Sequence, residues 1–296
     1  MSNHKRLKAI FEKAVRVPFS NRDRLVFFSD VHRGNNSWAD EFARNEIIYT
    51  YALQHYYDEG FTYFEVGDGD ELLKFKYIEP IRIAHEQVYR LLQKFHEKRR
   101  LYYLFGNHDD EYRNPELVHW KLNQLLNPVT EEREILFDDF QAHEALVLEH
   151  RESGMTFFVV HGHQGDDLFH RMIWLNRVLI RAFWRPLQLL GLQDPGSVAQ
   201  NMYKRQKVEE ALVQWVEENR QPMIAGHTHK ERFPKKDQPP YFNTGSCVHP
   251  RWITCIEIEK GEISLVRWQI RPNKKGQLVI KKTIIKGPKE VSHFLH

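Results

Sequence analysis

Five short apolar runs in this chain each stop at a block rich in aspartate, histidine, asparagine and glycine, and that alternation leaves few folds open. Leu25 to Phe28 runs into Ser29-Asp30-Val31-His32, and Phe61 to Val66 into Gly67-Asp68-Gly69-Asp70-Glu71. Leu101 to Phe105 is followed by Gly106-Asn107-His108-Asp109, Thr156 to Val160 by His161-Gly162-His163, and Met223 to Ala225 by Gly226-His227-Thr228-His229. The runs are too short for helices and read as buried strands. Each polar block then lies just past the C-terminal end of a strand, where open α/β sheets bind ligands.

Asp30, His32, Asp68, Asn107, His161, His227 and His229 together supply carboxylate, amide and imidazole donors. Such a mixed oxygen and nitrogen set suits Mn, Fe or Zn rather than Ca. A carboxylate such as Asp68, together with a water or hydroxide, can bridge two ions, which in two-metal sites sit roughly 3.5 to 4 Å apart. Two divalent cations against Asp30, Asp68 and one hydroxide leave a positive site that attracts a phosphate oxyanion.

In this order the motifs resemble the signature of the calcineurin-like metallophosphoesterase superfamily, DxH, GDxxD, GNHD, HGH and GHxH, from Asp30 to about Ser246. The resemblance implies an α/β fold, a four-layer α/β/β/α sandwich, with a dimetal centre. It implies hydrolysis of a phosphate ester or pyrophosphate by in-line attack of a metal-bridging hydroxide. One ion would take Asp30, His32, Asp68 and His229, the other Asp68, Asn107, His161 and His227, with Mn the expected metal and Fe or Zn the alternatives. His108 would be the catalytic imidazole that stabilises the phosphoryl oxygens and protonates the leaving group. The second block departs from the pattern by closing on Glu71 where the superfamily has Asp, so Glu71 is expected to orient His108 with some backbone shift. Serine/threonine phosphatases of the superfamily carry Arg-Gly after this block, whereas Leu72 and Leu73 stand here. Arg33 and Arg251 are the candidate phosphate grips, set against their reading as ordinary surface arginines.

Between the fourth and fifth blocks, Leu168 to Gln193 holds no acid while Arg177, Arg181 and Arg185 recur at helical spacing among apolar residues. This segment, within a helical cap or lid insertion expected at about 166–219, suits an anionic membrane surface or a phosphorylated lipid, with Arg177 and Arg181 as substrate-binding residues. The competing reading is a core helix whose arginines pair with Glu209, Glu210, Glu217 and Glu218. Placement and character of the insertion are similar to the UDP-2,3-diacylglucosamine pyrophosphatase branch of the superfamily, a partial resemblance because that branch carries HGD in place of HGH.

The 296 residues contain no linker-like stretch, so a single domain over 1–296 is expected. Cys247 and Cys255 read as free thiols, and no signal-peptide core or bilayer-length apolar run is visible, which gives a cytoplasmic expectation with peripheral membrane contact. Helices are expected over 39–57, 80–98 and 115–126, the last capped by Asn114, and from Ser197 to about Asn219. Leu7, Ile10, Phe11 and Ala14 form an apolar stripe expected to dock on the domain. His55, His85, His96 and His119 read as solvated or half-buried. Three strands close the chain, over 252–258, 263–271 and 277–285. Lysines in this tail leave a nucleic-acid phosphodiesterase as one alternative, although a solvated sheet face accounts for them better; a metal-binding scaffold without catalysis is the other.

Overall fold

The computed structural model describes residues 3–126, 130–165 and 198–294. In chain order its helices and strands begin with α1 (Asn3–Lys13), β1 (Val15–Phe19), β2 (Arg24–Phe28), α2 (Glu46–Asp58), β3 (Thr62–Val66), α3 (Glu79–Ala84), α4 (Glu86–Glu97) and β4 (Leu101–Leu104). There follow α5 (Pro115–Leu122), β5 (Gln124–Leu126), β6 (Arg133–Ile135), β7 (Ala142–His143), β8 (Ala145–His150), β9 (Thr156–Val160) and α6 (Val198–Asn219). The chain closes with β10 (Met223–Ala225), β11 (Tyr241–Asn243), β12 (Ile253–Glu259), β13 (Glu262–Pro272) and β14 (Leu278–Glu290).

Two sheets form. One runs β14-β13-β12-β2-β3-β4-β7, the other β1-β8-β9-β10-β11, and β5 pairs with β6 as a separate ribbon. Period-two alternation sorts the side chains of each strand onto opposite faces. In β2, Leu25 and Phe27 enter the core between the sheets, where Phe64, Val66, Leu104, Leu146, Val159 and Ile224 meet them. Val26 and Phe28 turn the other way, onto Tyr49, Tyr56, Val88 and Phe95 of α2 and α4. The outer face of the smaller sheet puts Val147, Phe158, Val160 and Tyr241 against Leu7 of α1 and Val208, Leu212 and Trp215 of α6. Three apolar layers thus separate four structural ones, the α/β/β/α sandwich.

The α1 stripe docks on the domain as its periodicity implies, Phe11 standing 5.3 Å from the Phe158 ring. Asn114 caps α5 by accepting from the Glu116 amide at 2.9 Å. Lys260 and Gly261 both adopt positive φ in the two-residue turn that joins β12 to β13, the conformation a tight hairpin requires. Cys247 and Cys255 are free and buried. Lys281, Lys286 and Lys289 lie exposed along β14, the edge of its sheet. No helix among the described residues is long and apolar enough to cross a membrane.

Three helical expectations change. The helix expected from Ala39 starts at Glu46 instead, because the Asp40 carboxylate accepts the amides of Asn36, Phe42 and Ala43 and holds that stretch as a loop with one 3₁₀ turn at Phe42–Arg44. The helix expected over 80–98 breaks at His85, whose φ of −120° leaves the helical region. His85 is buried rather than solvated, with Nε2 2.9 Å from Asp40 and Nδ1 3.0 Å from Glu46. The helix expected to reach Leu126 ends at Leu122, and 124–126 pair with 133–135. Of the predicted insertion, 198–219 is a helix of the outer layer; 166–197, with Ser197, Arg177, Arg181 and Arg185, lies outside the described residues.

Candidate metal centre

All five polar blocks meet at one end of the sandwich. Asp30, His32, Asp68 and Asn107 follow β2, β3 and β4 of the larger sheet, while His161, His227 and His229 follow β9 and β10 of the smaller one. Backbone bonds lace the loops together: Asp30 N donates to Gly67 O at 3.1 Å, His32 N to Asp68 O at 2.9 Å and Gly226 N to His161 O at 2.9 Å. Any side chain at Gly106 would be driven into Asp68, since a Cβ there would stand 2.1 Å from Oδ1. Asp30, His32, Asp68, His227 and His229 all hold φ between 51° and 68°, left-handed backbone that non-glycine residues seldom adopt and that costs roughly 1 kcal/mol or more each.

The donor atoms of Asp30, His32 and His229 lie within 4.8 Å of one another, as do those of Asp68, His161 and His227. Between these two triads, Asp68 Oδ2 is 3.1 Å from His161 Nε2 and 3.8 Å from His32 Nε2, so one carboxylate oxygen faces both. Asp30 Oδ1, Asn107 Oδ1 and His161 Nε2 are buried without a hydrogen bond. Buried lone pairs converging in this way are what a metal ion requires, and the donors present suit one.

The remaining atoms of these side chains are tied down. His161 Nδ1 donates to Val66 O at 2.8 Å, which turns its Nε2 toward the centre. Asp30 Oδ2 accepts from Ser29 Oγ and from His227 N at 2.9 Å, and Asp68 Oδ1 from His108 N at 2.8 Å. Glu71 receives two imidazoles, His108 Nδ1 on Oε1 at 2.7 Å and His32 Nδ1 on Oε2 at 3.0 Å. His108 Nε2 stands 4.0 Å from Asp68 Oδ2, with 21% of its side chain exposed while Glu71 is buried.

Electrostatics follow from this crowding. Burial pushes the Asp68 carboxyl up, yet His161 and His108 beside it hold it far below the usual carboxylate range. Burial pushes His161 down, but Asp68 overcomes it and holds the imidazole up at about 9. Burial and the neighbouring His161 push His227 down to about 3. His229 is lowered too, by burial first, with the charges of His32 and Arg205 adding to it.

A family model for calcineurin-like phosphoesterases matches residues 23–231, a span that contains all seven of these donors and His108. The chain belongs to the calcineurin-like phosphoesterase family. No curated protein matches it significantly. Among solved structures, this phosphoesterase family member is similar to zinc-complexed Vps29 from Entamoeba histolytica, at 13% identity over 89% of this chain and 99% of that one, with a TM-score of 0.41. It is also similar to the cold-active protein-tyrosine phosphatase of a psychrophilic Shewanella, at 12% identity over 90% and 83% of the two chains, with a TM-score of 0.40. At such scores the likeness says nothing about activity.

The two candidate phosphate grips stand elsewhere. Arg33 is wholly buried, its guanidinium held by Glu65 and, at 2.8 Å, by Asp70, so it braces the fold beneath the site instead of gripping a ligand. Arg251 is exposed in a groove with Arg44, Trp252 and Arg271 that none of the seven donors lines. Sequence reasoning passed over the support below the blocks. Asp70 accepts from Arg33, Tyr89 and Tyr112, and Asp109 from the Gly69 and Gly106 amides and Tyr103. The signal for it was Glu65, an acid inside an apolar strand run, which cannot be buried without a partner. His163 is buried with its ring 5.5 Å from that of His161.

Proposed function

We propose that the protein hydrolyses phosphate esters or phosphoanhydrides with two divalent ions, Mn first among them, with Fe or Zn as alternatives. One ion would be held by Asp30, His32, Asp68 and His229, the other by Asp68, Asn107, His161 and His227. When bound, the ions would polarise the phosphoryl oxygens and lower the pKa of a water. The observation that supports this most is the placement of Glu71 between His32 and His108.

That placement separates two roles within a few ångströms. His32 Nδ1 is occupied by Glu71, so its Nε2 turns to the buried centre beside Asp30 and His229. His108 Nδ1 is occupied by the same carboxylate, while its Nε2 stands 4.0 Å from Asp68 Oδ2 and its side chain is partly exposed. An imidazole so held can keep a proton on Nε2 and deliver it to the departing oxygen, while Glu71 stabilises the cationic form. Burial keeps His227 neutral, the form that offers a lone pair.

Purified protein supplied with Mn should hydrolyse 4-nitrophenyl phosphate or its diester. Asp68→Ala and His108→Ala should each abolish most of that turnover, and unchanged rates in both variants would sink the proposal.

A further inference from the structure

A cavity of about 440 Å³ opens beside His229. One wall is the face of α6 that carries Arg205, Glu209 and Glu210; the other is the chain just past His229, with Lys230 and Arg232. Its charges do not cancel. Arg232 is taken by Glu209 at 2.6 Å and lies over the Tyr241 ring, while the Glu210 carboxylate accepts the Gln206 amide at 2.9 Å. Arg205 and Lys230 form no ion pair with the described residues and are exposed to the cavity side of the domain. Among the described residues, two cations without an ion pair thus stand over a space that adjoins a candidate metal ligand, and Glu210 is the acid of the cavity that forms none.

We infer that Arg205 and Lys230 hold a second anionic group of the substrate, next to the phosphoryl group that is hydrolysed; this rests on the hydrolysis proposed above. A simple monoester would fill the metal end and leave the cavity to water. A substrate whose leaving group carries a phosphate or carboxylate would place that charge between the two cations, where charge-assisted hydrogen bonds from guanidinium and ammonium are stronger than those to neutral groups. Chemistry at phosphorus is the same in both cases. Water oxygen forms the new bond to phosphorus and the bridging oxygen departs with the leaving group. A departing alkoxide takes up a proton to become an alcohol, whereas a departing phosphate leaves as its anion. Arg205 and Lys230 therefore select the substrate and do not touch the bond that breaks.

Equilibrium binding to the Mn-loaded protein tests this without turnover. Methylene diphosphonate should bind at least about tenfold tighter than inorganic phosphate, and Arg205→Gln or Lys230→Gln should cut that ratio several-fold to tenfold. Lys235→Gln, an exposed control outside the cavity, should keep it. In a rate assay the same two variants should lose more kcat/KM on ADP or phosphoserine than on 4-nitrophenyl phosphate. A loss confined to ADP names a phosphate as the second group, and one confined to phosphoserine names a carboxylate. An unchanged binding ratio in both variants overturns the inference. Failure of the wild type to hydrolyse any of the three compounds would instead sink the hydrolysis reading, and the diphosphonate ratio would still decide what Arg205 and Lys230 do.

Discussion

Replacing Glu71 by Gln removes one acceptor from a residue that serves two imidazoles. At present Oε1 takes His108 Nδ1 at 2.7 Å and Oε2 takes His32 Nδ1 at 3.0 Å, and both oxygens must accept. A glutamine has one oxygen and one NH2, so whichever way its amide turns, one imidazole faces a donor and must move its proton to Nε2 or rotate away. If His32 is the loser, its Nε2 lone pair is lost to the buried centre, a supporting-partner loss that typically weakens metal affinity about 10- to 100-fold. If His108 is the loser, the carboxylate that stabilises its protonated form is gone, and proton delivery by a positioned group is worth about 10²- to 10⁴-fold. The expected result is a kcat at saturating Mn reduced by about two orders of magnitude, accompanied by a measurable rise in the Mn dissociation constant. Steady-state rates across a Mn titration separate the two contributions, and circular dichroism with thermal melting checks that the variant folds. A Glu71→Gln enzyme within about threefold of wild type in both kcat and metal affinity would refute the shared-acceptor reasoning.

Other outcomes follow from the same geometry. His85, held up at about 9 by Asp40 and Glu46 against the opposing effect of burial, is charged in the folded protein where the unfolded chain has a value near 6.5. Its contribution, about 3 kcal/mol, should be fully present below pH 6.5 and lost as pH rises through 9. The cost of His85→Gln in denaturant titrations should shrink over that window, and a pH-independent cost would refute the assignment. Because Asp68 holds His161 up at about 9 and Asp30 and Glu71 hold His32 up as well, loading at pH 7 should release protons, and apparent affinity should rise with pH by at least about tenfold per unit until roughly pH 9. Calorimetry in buffers of different ionisation enthalpy reads this directly, and identical heats would contradict it. Arg33→Met leaves Glu65 and Asp70 buried without their cation and should cost about 3 to 5 kcal/mol in stability, partly recovered by adding Glu65→Gln. Phe27→Ala, which removes a ring stacked 4.6 Å from Phe64 between the sheets, should cost about 3 to 5 kcal/mol by the same measurement.

Most of the centre was legible because its chemistry is local: each donor sits within a few residues of a strand end, and strand ends are marked by where apolar runs stop. Fold class followed from the same runs and from the motif order, and the alternation of Val26 and Phe28 against Leu25 and Phe27 then decided which faces meet helices and which meet the other sheet. What stayed hidden depends on partners distant in sequence. Arg33 looks like a surface arginine until Glu65 and Asp70 close on it, 32 and 37 residues away. His85 looks like one more helical histidine until Asp40 and Glu46 pull it out of the helix. Helix starts were misplaced for a related reason, since the side chain that ends or delays a helix, as Asp40 does, acts through backbone amides that no periodicity reports.

Left-handed backbone at Asp30, His32, Asp68, His227 and His229 has a consequence for how this chain tolerates change. Those residues hold conformations in which glycine, and to a lesser degree asparagine, would rest more comfortably. A library ranked for heat resistance alone would therefore drift toward glycine at these positions and accumulate robust proteins with an emptied centre. Stabilising campaigns should freeze these five codons and spend their diversity on the outer helices.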